Sequence, residues 1–264
     1  RYCISTLQYQ QLKDVWKILY YSVTGLILGR SPNMQKLGLG GYFSNPIDDP
    51  VDIIDHAYKK GIRFFDTAPA YGKSELYFRK ALEKYHRITY KISSKTKAET
   101  PDELLESFVM STNRLGVKFL DVYFGHDFID DVEKWTSLQP VIDKMFELKK
   151  EGFIKAVGVS GNSPVAAIKA IDRGVDFIMV PHSIMLRVFE NVISYARNKG
   201  VRVITMKNFG SGVLLGGPNE NEFKKHVTLT DLLSFCINTE GVSRVIPAAR
   251  SIEQVDEIIH SYYH

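Results

Sequence analysis

Cysteine is scarce in this chain: Cys3 and Cys236 stand near opposite ends of 264 residues. Neither has a partner at metal-ligand or redox spacing, so no disulfide scaffold is expected and a reducing compartment is. No apolar run approaches the ~20 residues of a membrane-spanning helix, and the first residues lack the apolar centre of a signal peptide. The chain therefore reads as cytoplasmic, with no membrane partner, although it opens on Arg1 rather than Met and leaves room for a leader. Charge of one sign is not massed anywhere: 34 Lys and Arg face 30 Asp and Glu, a net charge of +4 spread along the chain, and no basic tract invites nucleic acid. Three catalytic signatures are missing as well. His126-Asp127 and His182 are isolated and form no metal-ligand spacing. No Gly-x-Ser-x-Gly elbow occurs, since Gly158-Val159-Ser160-Gly161 lacks the spacing. Gly38-Leu39-Gly40-Gly41 likewise fails the Gly-x-Gly-x-x-Gly pattern of a doubly wound nucleotide-binding sheet.

What is present is an ordinary globular composition, 44% hydrophobic and 24% charged, in a chain about as long as a single α/β barrel needs, roughly 250 residues. From Lys36 onward apolar β-prone runs alternate with amphipathic ones. Strands are expected at 36–40, 62–66, 89–95, 119–126, 154–159, 176–180, 201–206 and 243–247. Helices are expected between and after them at 50–60, 74–84, 101–115, 134–150, 164–173, 187–199, 228–238 and 251–261. Alternation of this kind requires parallel strands with helical crossovers, and eight repeats predict a (β/α)8 TIM barrel; an open doubly wound sheet is the alternative. A β-hairpin is expected from Leu26, turning at Ser31-Pro32-Asn33. Ahead of it, Leu12, Val15, Trp16 and Leu19 predict an amphipathic helix over about 10–21. The domain reading is thus an extension over 1–24 and a barrel over 25–264, the extension packing on the barrel or contacting a protein partner.

The stretch Gly61-Ile-Arg-Phe-Phe-Asp-Thr-Ala-Pro-Ala-Tyr-Gly-Lys-Ser-Glu75 organises the rest. An apolar strand ends on Asp66, breaks at Pro69, and puts Tyr71 on the loop before the next helix. Asp66-Thr67 could merely cap that helix, with Tyr71 packed. In a barrel, however, the site lies at the C-terminal ends of the strands, where Lys95 and His126 also fall. Positions 91, 93 and 95 share one face of their strand, but Lys95 alone is at the catalytic end, which leaves Lys91 a structural part.

This stretch resembles the signature of the aldo-keto reductases, as do the segments LGLGG, ISSKT and LDVYFGHD, and the likeness runs over about residues 25–261. The resemblance implies an oxidoreductase interconverting carbonyl and alcohol on a small-molecule substrate, with Asp66, Tyr71, Lys95 and His126 as the catalytic set. Such chemistry suits these types: hydride attack leaves charge on oxygen, Tyr71 would supply the proton, Lys95 would favour its phenolate, and Asp66 would hold Lys95 charged. The hydride must come from a nicotinamide, and the resemblance implies NADP (NADPH) ahead of NAD. It assigns Ser160, Asn162 and the position of Met179 to the carboxamide, and Met206 to the nicotinamide face. Lys207, Phe209, Gly210 and Ser211 would meet the pyrophosphate, and Ala248, Arg250, Ser251 and Gln254 the adenosine phosphate.

Departures accompany it. Gly161 intervenes between Ser160 and Asn162, Met179 stands for a glutamine, His182 for a tyrosine, Met206 for an aromatic ring, and Ala248 for a basic residue. An NAD-dependent sugar or alcohol dehydrogenase, or a nucleotide-binding sensor of the same fold, stays open beside the reductase. The chain ends at His264 soon after the last expected helix, from which an open pocket, or one completed by a partner, is expected.

Overall fold

The computed structural model describes residues 34–127, 132–210 and 227–264. The expected helix over 10–21, the start of the expected hairpin and Ser211 lie outside the described residues. Gln35–His264 form one compact unit. Its frame is a sheet of eight strands, each parallel to the next and in sequence order. They are β1 (Leu39–Gly40), β2 (Phe64–Asp66), β3 (Lys91–Thr96), β4 (Val122–His126), β5 (Val157–Ser160), β6 (Phe177–Pro181), β7 (Arg202–Met206) and β8 (Val242–Val245). The last strand returns to the first: Val245 N–H donates to Lys36 O at 2.7 Å, Gly38 N–H to Val245 O at 2.8 Å, and Gly40 N–H to Pro247 O at 2.9 Å. The sheet is thereby a closed barrel. β8 starts one residue before and ends two before the expected 243–247, although Pro247, which has no N–H to donate, still accepts from Gly40.

Helices α1 (Pro50–Lys59), α2 (Ser74–Leu82), α3 (Pro101–Leu115), α4 (Val132–Ser137), α5 (Gln139–Lys150), α6 (Pro164–Asp172), α7 (Glu190–Asn198) and α8 (Leu229–Asn238) make the crossovers, and α9 (Ile252–Tyr263) follows the last strand. Their starts follow local chemistry. Side chains of Asp49, Thr100, Ser163, Thr228 and Ser251 accept backbone N–H groups, and proline sits in the first turn of α1, α3 and α6. The single helix expected over 134–150 is two, parted at Leu138, and Pro140, in the first turn of the second, has no N–H with which to carry the hydrogen-bond ladder across. Among the described residues no helix is long and apolar enough to cross a membrane.

Phe64, Val122, Phe124, Ala156, Phe177, Met179, Ile204 and Ile246 fill the middle of the barrel with one apolar cluster. Above it, the alternation of each strand brings polar side chains to the C-terminal rim. That rim is closely packed at β1. Gly41 N–H donates to Asp66 O at 2.7 Å, and Ser74 Oγ donates to Gly41 O at 2.7 Å. A Cβ on Gly41 would stand 2.7 Å from both Asp66 O and Ser74 Oγ. Gly41→Ala is therefore expected to destabilise the fold by about 1–3 kcal/mol, read as a lowered midpoint in urea.

Candidate active site

Asp66, at the end of β2, is 2% exposed, and Lys95 on β3 is fully buried. Lys95 Nζ donates to Asp66 Oδ2 at 2.5 Å and to Thr67 O at 2.9 Å. Ser93 Oγ, on the same strand face, donates to Asp66 Oδ1 at 2.7 Å, so both carboxylate oxygens are held. Beyond Asp66 the chain leaves the sheet through a turn of 3-10 helix, Pro69–Tyr71, and Gly72 takes φ 65 before α2 begins. That turn folds Tyr71 back over the strand ends. Its ring lies 4.8 Å from Lys95 Nζ, edge-on to His126 at 5.8 Å and edge-on to Tyr42 at 5.3 Å. Behind β3, Ser94 Oγ donates to the buried Glu75 at 2.7 Å and ties the strand to α2.

Burial alone would drive the Lys95 ammonium down, but Asp66 and the Tyr71 hydroxyl outweigh it and hold Lys95 above its ordinary value. Lys95 pulls the Tyr71 hydroxyl toward its phenolate as expected, but the net shift is upward. Burial raises its hydroxyl, Lys95 opposes, Asp66 adds to the rise, and burial wins. Tyr71 is thus a protonated phenol at neutral pH. His126 is pushed down to about 4 by burial and by Lys95, with Asp127 partly offsetting. It is a neutral imidazole, with one N–H to donate and one nitrogen to accept.

The shift in His126 has a thermodynamic consequence. A histidine depressed in the fold contributes fully above its unfolded value, near 6.5, and loses that contribution as pH falls toward 4. Stability should drop by up to about 3 kcal/mol over that window, and His126→Gln should flatten this part of the profile. Urea midpoints at pH 7, 5.5 and 4.5 for both proteins check it; parallel profiles would contradict it.

A cavity of about 470 Å³ opens beside these groups, lined by Lys95 and His126 with Pro69, Ala70, Thr96 and Lys97 near the strand ends and Glu103, Glu106, Ser107 and Met110 on α3. Lys97 pairs with Asp127 at 2.7 Å on its rim. On the next strand, Ser160 stands opposite His126 in the β4–β5 ladder. It is 1% exposed, and its Oγ has no hydrogen-bond partner. A buried hydroxyl without a partner, next to His126 in the ladder, is a place for a ligand's polar group.

The sequence profile described as Aldo/keto reductase family matches residues 36–232. The chain belongs to the aldo/keto reductase family. It is 27% identical over 197 residues to the NADH-specific methylglyoxal reductase of Escherichia coli, covering 63% of this chain and 58% of that protein. It is 32% identical over 152 residues to the D-arabinose 1-dehydrogenase of Saccharomyces cerevisiae, covering 53% of this chain and 43% of that one. The chain spans about three fifths of the length of several curated relatives that it matches. In fold it is similar to the holo form of the aldo-keto reductase AKR11C1 from Bacillus halodurans, with a TM-score of 0.74 at 22% identity, covering 87% of each chain.

Members of this family use a nicotinamide dinucleotide, and the residues assigned to it are placed unequally. Ser160 fits, for the reason given. Asn162 is exposed and its Oδ1 accepts from Lys207 Nζ at 2.8 Å. Met179 is fully buried in the apolar cluster, so no amide reaches the rim there, and Met206 packs against the same cluster half-buried. Phe209 is buried, Lys207 is exposed at φ 56 and Gly210 takes φ 57, a backbone turned at the end of β7. Around the start of α9, Ala248 and Arg250 are exposed. Arg250 Nε donates to Asn45 O at 2.8 Å, its N–H donates to Gln254 Oε1 at 2.8 Å, and Ser251 Oγ accepts the Gln254 N–H as the cap.

The sequence reading missed Ser93, Tyr42, the Lys97–Asp127 pair and the α3 wall. The period-two alternation already placed Ser93 beside Lys95. The others meet only because separate loops fold over one rim.

Proposed function

We propose that this chain is an NADP-dependent oxidoreductase interconverting an aldehyde or ketone and the corresponding alcohol. The observation that carries the reading is the buried Asp66–Lys95 pair under the Tyr71 ring at the edge of the 470 Å³ cavity. A bound nicotinamide supplies the hydride. Ser160 Oγ would hydrogen-bond the carboxamide, Asn162 would stand beside it, and Phe209 and Gly210 would border the pyrophosphate. Arg250, exposed at the start of α9, would meet a 2′-phosphate with its remaining guanidinium N–H groups.

Tyr71, held protonated by burial, would give its proton to the oxygen on which charge develops. Lys95 would then stabilise the phenolate left behind, with Asp66 keeping the ammonium charged. Neutral His126 would offer its N–H to the same oxygen and orient the carbonyl. In the oxidative direction the phenolate would take the proton back.

Fluorescence titration with NADPH and NADH, followed by turnover on a panel of simple aldehydes, tests this. NADPH should bind at least about tenfold more tightly, and Arg250→Ala should remove about that factor for NADPH while leaving NADH unchanged. Tighter NADH binding would favour an NAD-dependent sugar or alcohol dehydrogenase instead. That reading draws on uncharged Ala248, on the tether of Arg250 to Asn45, and on the printed names of the two relatives. Binding without turnover on any carbonyl or alcohol would favour a sensor.

A further inference from the structure

The cavity beside His126 has a wall whose polar groups are mostly taken. Lys95 is held by Asp66 and Thr67 O, and Lys97 pairs with Asp127 at 2.7 Å. Thr96 Oγ1 accepts the Ala98 N–H at 3.1 Å, and Ser107 Oγ accepts from the Tyr123 hydroxyl at 3.1 Å. Glu103 Oε2 accepts the Glu99 N–H at 2.8 Å. Pro69, Ala70, Ala98 and Met110 add apolar surface. Glu106 is the exception. Among the described residues it has no hydrogen-bond or ion-pair partner, although it borders the same cavity as Lys95 and His126.

Charge in this wall is unbalanced in one direction. Asp66 answers Lys95 and Asp127 answers Lys97, but no basic side chain among the described residues lies within ion-pair distance of Glu103 or Glu106. Two cations of α3 and α5 are engaged elsewhere: Arg114 faces Glu75 at 3.7 Å, and Lys144 takes Glu147 at 2.7 Å. Glu103 stands in the first turn of α3, where the helix dipole offsets its charge. Glu106 lies beyond that turn and lacks the offset. Positions 103, 106, 107 and 110 recur at helical spacing, so one face of α3 carries both carboxylates and Met110 toward the cavity. An exposed glutamate on a helix ordinarily meets only water, whereas this one lines the space into which the reacting groups open.

Given the carbonyl-reducing function proposed above, on which this rests, we propose that the cavity takes an aldehyde or ketone carrying an ammonium group beyond an apolar spacer. The carbonyl lies at Tyr71 and His126, the spacer along the apolar wall, and the ammonium at Glu106 with Glu103 beside it. A cation there supplies the missing charge, and a hydrocarbon spacer leaves the taken polar groups undisturbed. A sugar would instead ask for several free hydrogen-bonding groups, and this wall offers few. The chemistry is that already given: the carbonyl carbon gains hydride from the nicotinamide and its oxygen gains a proton, while the ammonium keeps its bonds.

The test compares para- and meta-(trimethylammoniomethyl)benzaldehyde with their neopentyl isosteres, which have the same shape without the charge, and with the carboxymethyl acids. Steady-state kcat/KM is read with NADPH and with NADH, and calorimetry on the full chain reads binding of the corresponding benzyl alcohols. In the wild type the cation should lead both the isostere and the acid in at least one of the two series. The cation-to-isostere ratio should fall about three- to fivefold in Glu106→Gln, and about tenfold when Glu103→Gln is added. Glutamine suits an exposed helix face, so both variants should fold. Asp102→Asn, on the same helix but outside the cavity wall, should keep the ratio, which separates a contact from the general field of α3. An unchanged ratio in Glu106→Gln would overturn the proposal, as would an isostere or acid that binds best, or an equal fall in Asp102→Asn. Absence of turnover with every aldehyde and either nucleotide would overturn the reductase reading, and the alcohol binding would still decide this one.

Discussion

Tyr71→Phe is expected to lower kcat for carbonyl reduction by about 100- to 10,000-fold, with the dissociation constant for NADPH changed by less than about threefold. The substitution removes one oxygen. The ring that packs edge-on to Tyr42 and His126 and lies over Lys95 is kept, so the turn Pro69–Tyr71 should hold its place. What disappears is the hydroxyl that burial keeps protonated at neutral pH and that the proposed function makes the proton donor. Lys95 does not take over, because its proton is held by Asp66 and the Thr67 carbonyl. Single-turnover oxidation of bound NADPH by a simple aldehyde, followed by loss of nicotinamide absorbance, reads the step directly. A loss under tenfold would transfer proton delivery to His126, and His126→Gln in the Tyr71→Phe background would then remove the remaining activity.

The second large effect falls on stability. Asp66→Asn should lower the free energy of unfolding by about 3–5 kcal/mol, because it leaves the fully buried Lys95 ammonium without its counter-charge. Removing both charges, Asp66→Asn with Lys95→Met, should recover much of that loss, since the unpaired buried charge goes with its partner. The pH dependence separates this pair from His126. A lysine raised in the fold contributes fully below its unfolded value, about 10.4, and loses that contribution only as pH rises through the folded value. The contribution of Lys95 in the wild type should therefore be level across pH 6–9, whereas the His126 contribution changes below about 6.5. Urea unfolding of the two single variants and the double variant completes the cycle. A cost below about 1 kcal/mol for Asp66→Asn would mean that water reaches Lys95 and that the pair is not sealed.

Much of this molecule is legible along the chain because the deciding interactions are local. Strand and helix periods, proline in first turns and capping side chains are set by residues within one turn of each other, and they suffice for eight strand-helix units and closure into a barrel. The break at Leu138 is equally local, since Pro140 two residues on lacks the N–H that would continue a single helix over 134–150. Asp66, Tyr71, Lys95 and His126 were also within reach, since a strand's end and the loop after it are visible in sequence.

The sequence by itself thus determined the barrel, the family and the positions of the four polar groups on one rim. Tertiary structure decided their chemical state and their partners. Whether Lys95 or burial governs Tyr71 depends on how far water is excluded, and burial prevailed. Whether Ser160 is paired, and whether Arg250 is tethered to Asn45, depends on atoms far apart in the chain. Lys91 and Lys95 share a strand face in sequence. Only the folded barrel separates them, one exposed at the start of its strand, the other sealed against Asp66. Desolvation and Coulomb energy vary with three-dimensional distance and burial, which no spacing along a chain encodes.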